Sequence, residues 1–338
     1  MKKLYLITDY KGFFGSKYFD VPYRSGMDRE LLASFFKSKG YEVVFLKPLM
    51  EELERQNLRE GVIVFASHQD PGLFYKNYLE DLAVSLELAG YRVCPSSYLI
   101  RAHENKVFFG MISYFMGVPS LNSIKSSWYG AHEDFTAMAE GLKYPVIIKS
   151  AEGSMSRKVF LATGTKEAKL KTRNLMRTPD FFLKVRDMIR QIRHKGYTRE
   201  SWRRKKILVQ EYVPGLKNDY KVLVYGKKYY VIHRGINKDD FRASGQGLLS
   251  YRKDIPPAIL DFAEECFAIF KAPQVSLDIG YDGESCFLFE AQYVCFGTYT
   301  IEKSPFYFIR GNGHWTCVEG NSCLEEEYAR SIVEYIEQ

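Results

Sequence analysis

Short apolar runs alternate with stretches of helical periodicity over the first hundred residues. Leu4–Thr8, Val43–Leu46 and Val62–Ala66 read as buried strands, too short and too β-branched for helices. Asp28–Lys39 and Tyr78–Ala89 repeat their apolar positions at helical spacing, and Gly40 and Gly90 close them. Strand–helix alternation of this kind predicts a small doubly wound parallel sheet covered by helices. Ligands of such sheets bind at the carboxyl ends of the strands, which points to Asp9–Gly15 and Ser67–Asp70. His68 in the second loop is either a substrate contact or a histidine that packs the loop.

Beyond residue 100 the pattern changes. Asn105-Lys106-Val107 leads a helix through Met116, ended by Gly117-Val118-Pro119. Val146, Ile147 and Ile148 form the heart of a buried strand, followed at once by Lys149 and a small-residue loop, Gly153-Ser154-Met155-Ser156. A lysine at the end of a buried strand is costly unless an anion meets it. Ile207–Val213 is a further strand turned by Pro214-Gly215, and Asp219–Tyr225 with Lys228–Arg234 reads as a hairpin across Gly226-Lys227. A helix over Pro257–Phe270 precedes two closing strands, Val275–Tyr281 and Cys286–Ala291, around Asp282-Gly283. This part reads as α+β with largely antiparallel strands.

With 338 residues the chain exceeds one core, so two or three compact units are expected. No apolar run approaches the ~20 residues that span a bilayer, and Asp9 and Lys11 interrupt the apolar start before it resembles a leader. Six scattered cysteines without a CxxC pair imply a reducing compartment, the cytoplasm. Cys295, His314, Cys317 and Cys323 contain an HxxC fragment, but the spacing fits no standard zinc finger. The net charge of +7 is concentrated: Lys166–Lys206 holds 15 Lys and Arg against 4 Asp and Glu, a local +11 that leaves the remainder near −4. Here Thr178-Pro179-Asp180 signals a helix start, and Phe182, Val185, Ile189 and Ile192 recur at helical spacing with Lys184, Arg186, Arg190 and Arg193 on other faces. One reading is a solvated insertion with a single packed stripe. The other is a platform for an anionic partner: a nucleotide-linked sugar, an acidic glycan or a membrane surface. No nucleic-acid-reading motif occurs, so no nucleic-acid partner is expected.

The chemistry concentrates in the closing strands. Asp278 interrupts one buried pattern and Glu290 the other, and alternation puts Gln292 on the face of Glu290. Two carboxylates and an amide on one sheet face suit Mg²⁺, while a carboxylate neutralised by a neighbouring lysine is the plainer alternative. Lys149, a Gly/Ser loop and a hard metal site together describe a nucleoside triphosphate site. Neither GxxxxGK[ST] nor GxGxxG is present, so it is not a Walker or a Rossmann site.

From about Asn105 to Gln292 the order of motifs resembles the ATP-grasp superfamily, in its peptide-ligase-like, carboxylate–amine ligase branch. The resemblance implies an N-terminal doubly wound domain followed by two α+β subdomains that clamp ATP. It implies Lys106 as the first ATP-contacting lysine, and Lys149 with Gly153, Ser154 and Ser156 as the second lysine and phosphate-covering loop. Glu211, Tyr212 and Val213 resemble the segment whose backbone holds the adenine edge, and Asp219 falls near the ribose. Asp240-Phe241-Arg242-Ala243-Ser244-Gly245-Gln246-Gly247 resembles the loop whose arginine faces the γ-phosphate. Asp278, Glu290 and Gln292 fall where the Mg²⁺ ligands belong, Gln292 replacing the usual asparagine with one methylene more. The wording around His103–Phe108 and Asp240–Gly245 is similar to uncharacterised ATP-grasp proteins encoded among bacterial surface-polysaccharide genes.

The implied domains are 1–102, 103–213 with the basic insertion 166–206, and 214–338 with the metal site. The implied function is an ATP- and Mg²⁺-dependent ligase that joins a small-molecule carboxylate to an amine through an acylphosphate, on a glycan precursor or an amino acid. Sugar-linked substrates and a homo-oligomer are compatible with it. Two alternatives stand beside it: a kinase on the same scaffold, and a nucleotide-binding regulator without turnover.

Overall fold

The structure is a computed structural model that describes residues 1–153, 158–178, 181–235 and 248–338. It divides into two compact units, one of Met1–His103 with Leu216–Gln338 and one of Glu104–Gly215. In the N-terminal part of the first unit, β1 (Lys2–Ile7), β2 (Tyr41–Leu46), β3 (Gly61–Phe65) and β4 (Val93–Cys94) form a sheet in the order β2-β1-β3-β4. All its pairings are parallel. The helices are α1 (Arg29–Ser38), α2 (Met50–Glu54), α3 (Phe74–Leu88) and α4 (Ser97–Ala102). Asp28 caps α1 by accepting from the N–H groups of Glu30 and Leu31, a favourable start for a helix of this length.

In the second unit α5 (Lys106–Met116) precedes an antiparallel sheet of β5 (Ser126–Tyr129), β6 (Val146–Ser150), β7 (Val159–Ala162) and β8 (Ile207–Glu211), ordered β5-β8-β6-β7. α6 (His132–Met138), α7 (Thr165–Leu175) and α8 (Phe181–Arg193) complete it. Alternation separates the two faces of β6. Val146 and Ile148 enter a core with Ile207, Val209, Ala162 and Phe135, while α5 packs Val107 and Met111 onto Leu208 from the other side.

The remainder of the first unit is one seven-stranded sheet. It contains β9 (Asn218–Tyr225), β10 (Lys228–Gly235), β11 (Leu249–Ser250), β12 (Gln274–Tyr281), β13 (Cys286–Gln292), β14 (Phe306–Gly311) and β15 (His314–Glu319), in the order β13-β12-β9-β10-β14-β15 with β11 on β10. α9 (Pro257–Phe270), α10 (Tyr299–Lys303) and α11 (Leu324–Ile336) complete it. Leu223, Tyr225 and Tyr230 of this sheet share one buried core with Leu4, Leu6, Val62 and Val64 of the parallel sheet and with Tyr328, Ile332 and Val333 of α11. Among the described residues no helix is long and apolar enough to cross a membrane.

His314 and Cys317 lie three apart on β15 and therefore point to opposite faces. One expectation is corrected. The stripe Phe182, Val185, Ile189 and Ile192 of α8 is not packed: Phe182 and Ile192 are each 85% exposed, and Val185 and Ile189 more than 40%. The Pro179 and Asp180 of the expected helix start lie outside the described residues.

The register between β12 and β13 slips at Asp278/Ile279, leaving Phe289 as an extra residue on β13. Its ring fills the space over Gly280, where a Cβ would come within 2.6 Å of Phe289 Cζ and 3.0 Å of Leu216 Cδ1. Gly280→Ala therefore overpacks the bulge, and thermal or urea melts are expected to show a loss of about 1–3 kcal/mol.

Candidate active site

In the first unit the polar half of one sheet face is built by cross-strand register. Glu290 on β13 lies opposite Asp278 on β12, which lies opposite Lys221 on β9. One step along, Arg234 on β10 pairs with Asp219 on β9, and Asp219 with Gly280. The Arg234 guanidinium reaches across the strands: Nε and Nη2 donate to the two oxygens of Asp219 at 2.6 and 2.8 Å, and Nη2 lies 3.1 Å from Asp278 Oδ2. Lys221 Nζ donates to Ser276 Oγ at 2.7 Å and lies 3.5 Å from Asp278 Oδ1. Gln292 Nε2 donates to Glu290 Oε1 at 3.2 Å, which puts both side chains on the face that alternation predicts.

The charges settle accordingly. Burial opposes ionisation of Asp278, but Arg234 and Lys221 outweigh it and bring its carboxyl down to about 2. For Asp219 desolvation, with the neighbouring Asp278 carboxylate, outweighs the pull of Arg234 and Lys221 and raises it to about 6. Near neutral pH Asp278 is thus a fixed anion within reach of Glu290. The neutralised carboxylate weighed from sequence is part of this geometry, because Lys221 and Arg234 both face Asp278. The metal-ligating atoms on this face are oxygens, those of Asp278, Glu290 and the Gln292 amide. They fit a hard divalent cation that keeps waters and phosphate oxygens for its other positions. Among the described residues no third carboxylate, histidine or thiol joins them to make a closed metal cage.

The second unit gathers the lysines predicted from sequence at the carboxyl end of β6. Lys106 donates from its backbone N–H to Ala151 O at 3.0 Å and from Nζ to Gly153 O at 2.7 Å. Gly153, at φ +113, donates its own N–H to Glu104 Oε2 at 2.8 Å, a backbone shape that favours glycine. Lys149 is 9% exposed, on the face of β6 that carries α5 rather than on the core face. At the end of β8 the N–H of Glu211 is taken by Lys125 O and that of Tyr212 by Pro145 O, while the Val213 N–H has no backbone acceptor among the described residues. Ser154, Ser156 and Arg242 lie outside the described residues.

His68 Nε2 is hydrogen-bonded to Asp9 Oδ2 at 3.3 Å, while Nδ1 lies 3.4 Å from Asp70 Oδ1 without a hydrogen bond. Both acids are also anchors of backbone: Asp9 accepts from the N–H groups of Lys11 and Phe13, and Asp70 from those of Tyr75 and Lys76 in the first turn of α3. His68 therefore fastens the loops after β1 and β3 to each other.

Arg234, Lys221 and Ser276 were not singled out from the sequence. Arg234 had one detectable signal, a charge on the inward face of a strand otherwise filled by Tyr230 and Ile232.

No protein-family model matches the sequence, and neither does any curated protein. Among solved structures the chain is similar to D-cycloserine synthetase DcsG, at 15% identity and TM-score 0.55 over 98% of this chain and 99% of that one. It is similar to D-alanine–D-alanine ligase from Bacillus anthracis complexed with ATP, at 11% identity and TM-score 0.51 over 100% and 98%. It is also similar to the RimK domain protein ATP-grasp from Sphaerobacter thermophilus DSM 20745, at 14% identity and TM-score 0.50 over 98% and 99%. One parallel sheet, two antiparallel sheets and an acid-bearing strand hairpin define the class of this molecule. Its fold is the ATP-grasp fold.

Arg234→Met would leave Asp219 buried without its cation. The expected cost is about 3–5 kcal/mol in denaturant melts, and Asp219→Asn in the same chain should recover part of it. A loss under about 1 kcal/mol would mean that the pair is an ordinary surface contact.

Proposed function

We propose that this chain is an ATP-dependent ligase that joins a carboxylate to an amine. The observation that carries the proposal is the register of β12 against β13, which sets Asp278 opposite Glu290 on one face beside two cations. That face supplies what phosphoryl transfer asks of a protein, namely positioning and charge neutralisation. Two of the similar structures are a synthetase and a ligase by name, which supports the same reading.

In this proposal Lys106 and Lys149 bind the ATP phosphates, with Gly153, Ser154 and Ser156 covering them. The backbone of Glu211, Tyr212 and Val213 receives the adenine edge, for which the Val213 N–H is available. Asp278, Glu290 and Gln292 would hold Mg²⁺, whose chemistry is to neutralise charge on the phosphate oxygens. Asp219 was placed near the ribose by resemblance. Both its oxygens accept from Arg234, so in this reading it positions that guanidinium. Arg242 stabilises the transferring phosphoryl group. A substrate carboxylate oxygen attacks the γ-phosphorus, the bond to the β–γ bridging oxygen breaks and ADP leaves. The amine nitrogen then attacks the acyl carbon, loses a proton and releases phosphate. No side-chain nucleophile is required, because the substrate carboxylate is the nucleophile. A glycan precursor as substrate rests on the wording of two sequence segments alone.

The test is ATP turnover by the full chain against a panel of acids with mixed amines. ADP with free phosphate and an amide product is expected; a phosphorylated hydroxyl product would make the protein a kinase, and no turnover a binder. Glu290→Gln should lower turnover at least about a hundredfold, since the carboxylate loses its charge toward the cation. Arg242→Ala should lower kcat by about two to three decades with little change in ATP affinity. A near-parental rate in Glu290→Gln would remove this face from the chemistry, and one in Arg242→Ala would remove that arginine.

A further inference from the structure

The basic insertion plays no part in the chemistry above, and its central helix is built in an unusual way. At about 100° per residue, Phe181, Phe182, Val185, Met188, Ile189 and Ile192 of α8 occupy one arc of roughly 120°. Within α8 the one buried side chain, Asp187, lies on the opposite side. Leu183 on that side is itself 38% exposed, while Asp187 is 4% exposed, accepting from the Tyr197 hydroxyl and from the Glu200 N–H at 3.2 Å. The helix is therefore held by a polar tether and turns its apolar arc to solvent, with Phe181 74% and Phe182 and Ile192 85% exposed. Arg186 and Arg193 line one margin of the arc and Lys184 the other, and among the described residues none of the three has a carboxylate partner. Two large aromatic rings at one end of an exposed apolar arc are costly in water unless a surface covers them.

We propose that α8 docks on an anionic lipid bilayer surface, its apolar arc in the headgroup–acyl boundary and its margins on lipid phosphates. Three features select this occupant. An exposed apolar arc flanked by Lys and Arg is the pattern of a helix that lies in the plane of a membrane interface. The segment around it carries 15 Lys and Arg against 4 Asp and Glu, and each basic residue near an anionic surface adds to the attraction. A second copy of the chain would bring two such arginine margins together, which opposes self-association. A nucleic acid would satisfy the charges but leave Val185, Met188, Ile189 and Ile192 uncovered.

Flotation of the full chain with vesicles tests this, using phosphatidylcholine alone and with roughly a third phosphatidylserine. The bound fraction should be at least about tenfold higher on the anionic vesicles and should fall at about 0.5 M salt. Phe182→Ser with Ile192→Ser, and separately Arg186→Glu with Arg193→Glu, should each reduce binding at least about tenfold while the melting curve stays parental, since all four side chains are exposed. Failure to float with anionic vesicles, equal binding to neutral ones, or parental binding by both variants would overturn the proposal. So would a Phe182-dependent dimer in gel filtration without vesicle binding, which would assign the arc to a second copy.

Discussion

A guanidinium buried between two carboxylates is the constraint on which the rest of the candidate site depends. Arg234 starts on β10, binds Asp219 on β9 through two hydrogen bonds and reaches Asp278 on β12, so one side chain ties three neighbouring strands. Opposite Asp219 the strand carries Gly280, over which the Phe289 ring of the bulge and Leu216 pack. The network requires charge balance: Arg234 and Lys221 offset Asp219 and Asp278 before any ligand arrives. The consequence is that Asp278 stays ionised inside a sheet, where an isolated carboxylate would take up a proton.

The same sheet face changes character along its length. Beyond Lys221 and Ile232 it continues as Leu223, Tyr225 and Tyr230 and joins the core shared with the parallel sheet and α11. The polar network thus sits at the end of a wall of apolar packing, which continues on the same strands. The second unit follows the same plan. One face of β6 is core, and the other carries Lys149 alongside α5, whose first residue Lys106 is tied to the strand end through Ala151 and Gly153.

How much of this is legible in the sequence depends on the range of the interaction. The hairpin around Asp282-Gly283 connects its strands locally, so the approach of Asp278 to Glu290 could be read from alternation and one turn signal. The helix capped by Asn105 carries its own cap and glycine stop, and the one over Pro257–Phe270 starts on a proline; both appear where those signals fall. Arg234 was not legible as a site residue, because its partners lie 15 and 44 positions away on strands whose order no local pattern states. The apolar stripe of α8 was visible as a stripe, yet periodicity reports only that a face exists, not what lies against it. A buried Asp187 on the opposite side decides the orientation, and a lone aspartate in a basic helix gives no warning of that.

The central claim is that the acid face binds a cation together with ATP. Calorimetric titration of ATP into the full chain, with magnesium and with a chelator, tests it directly. The account predicts that magnesium tightens ATP binding at least about tenfold, and that Asp278→Asn combined with Glu290→Gln removes this gain while leaving the metal-free affinity in place. Equal ATP affinity with and without magnesium, or an undiminished magnesium effect in the double variant, would contradict it.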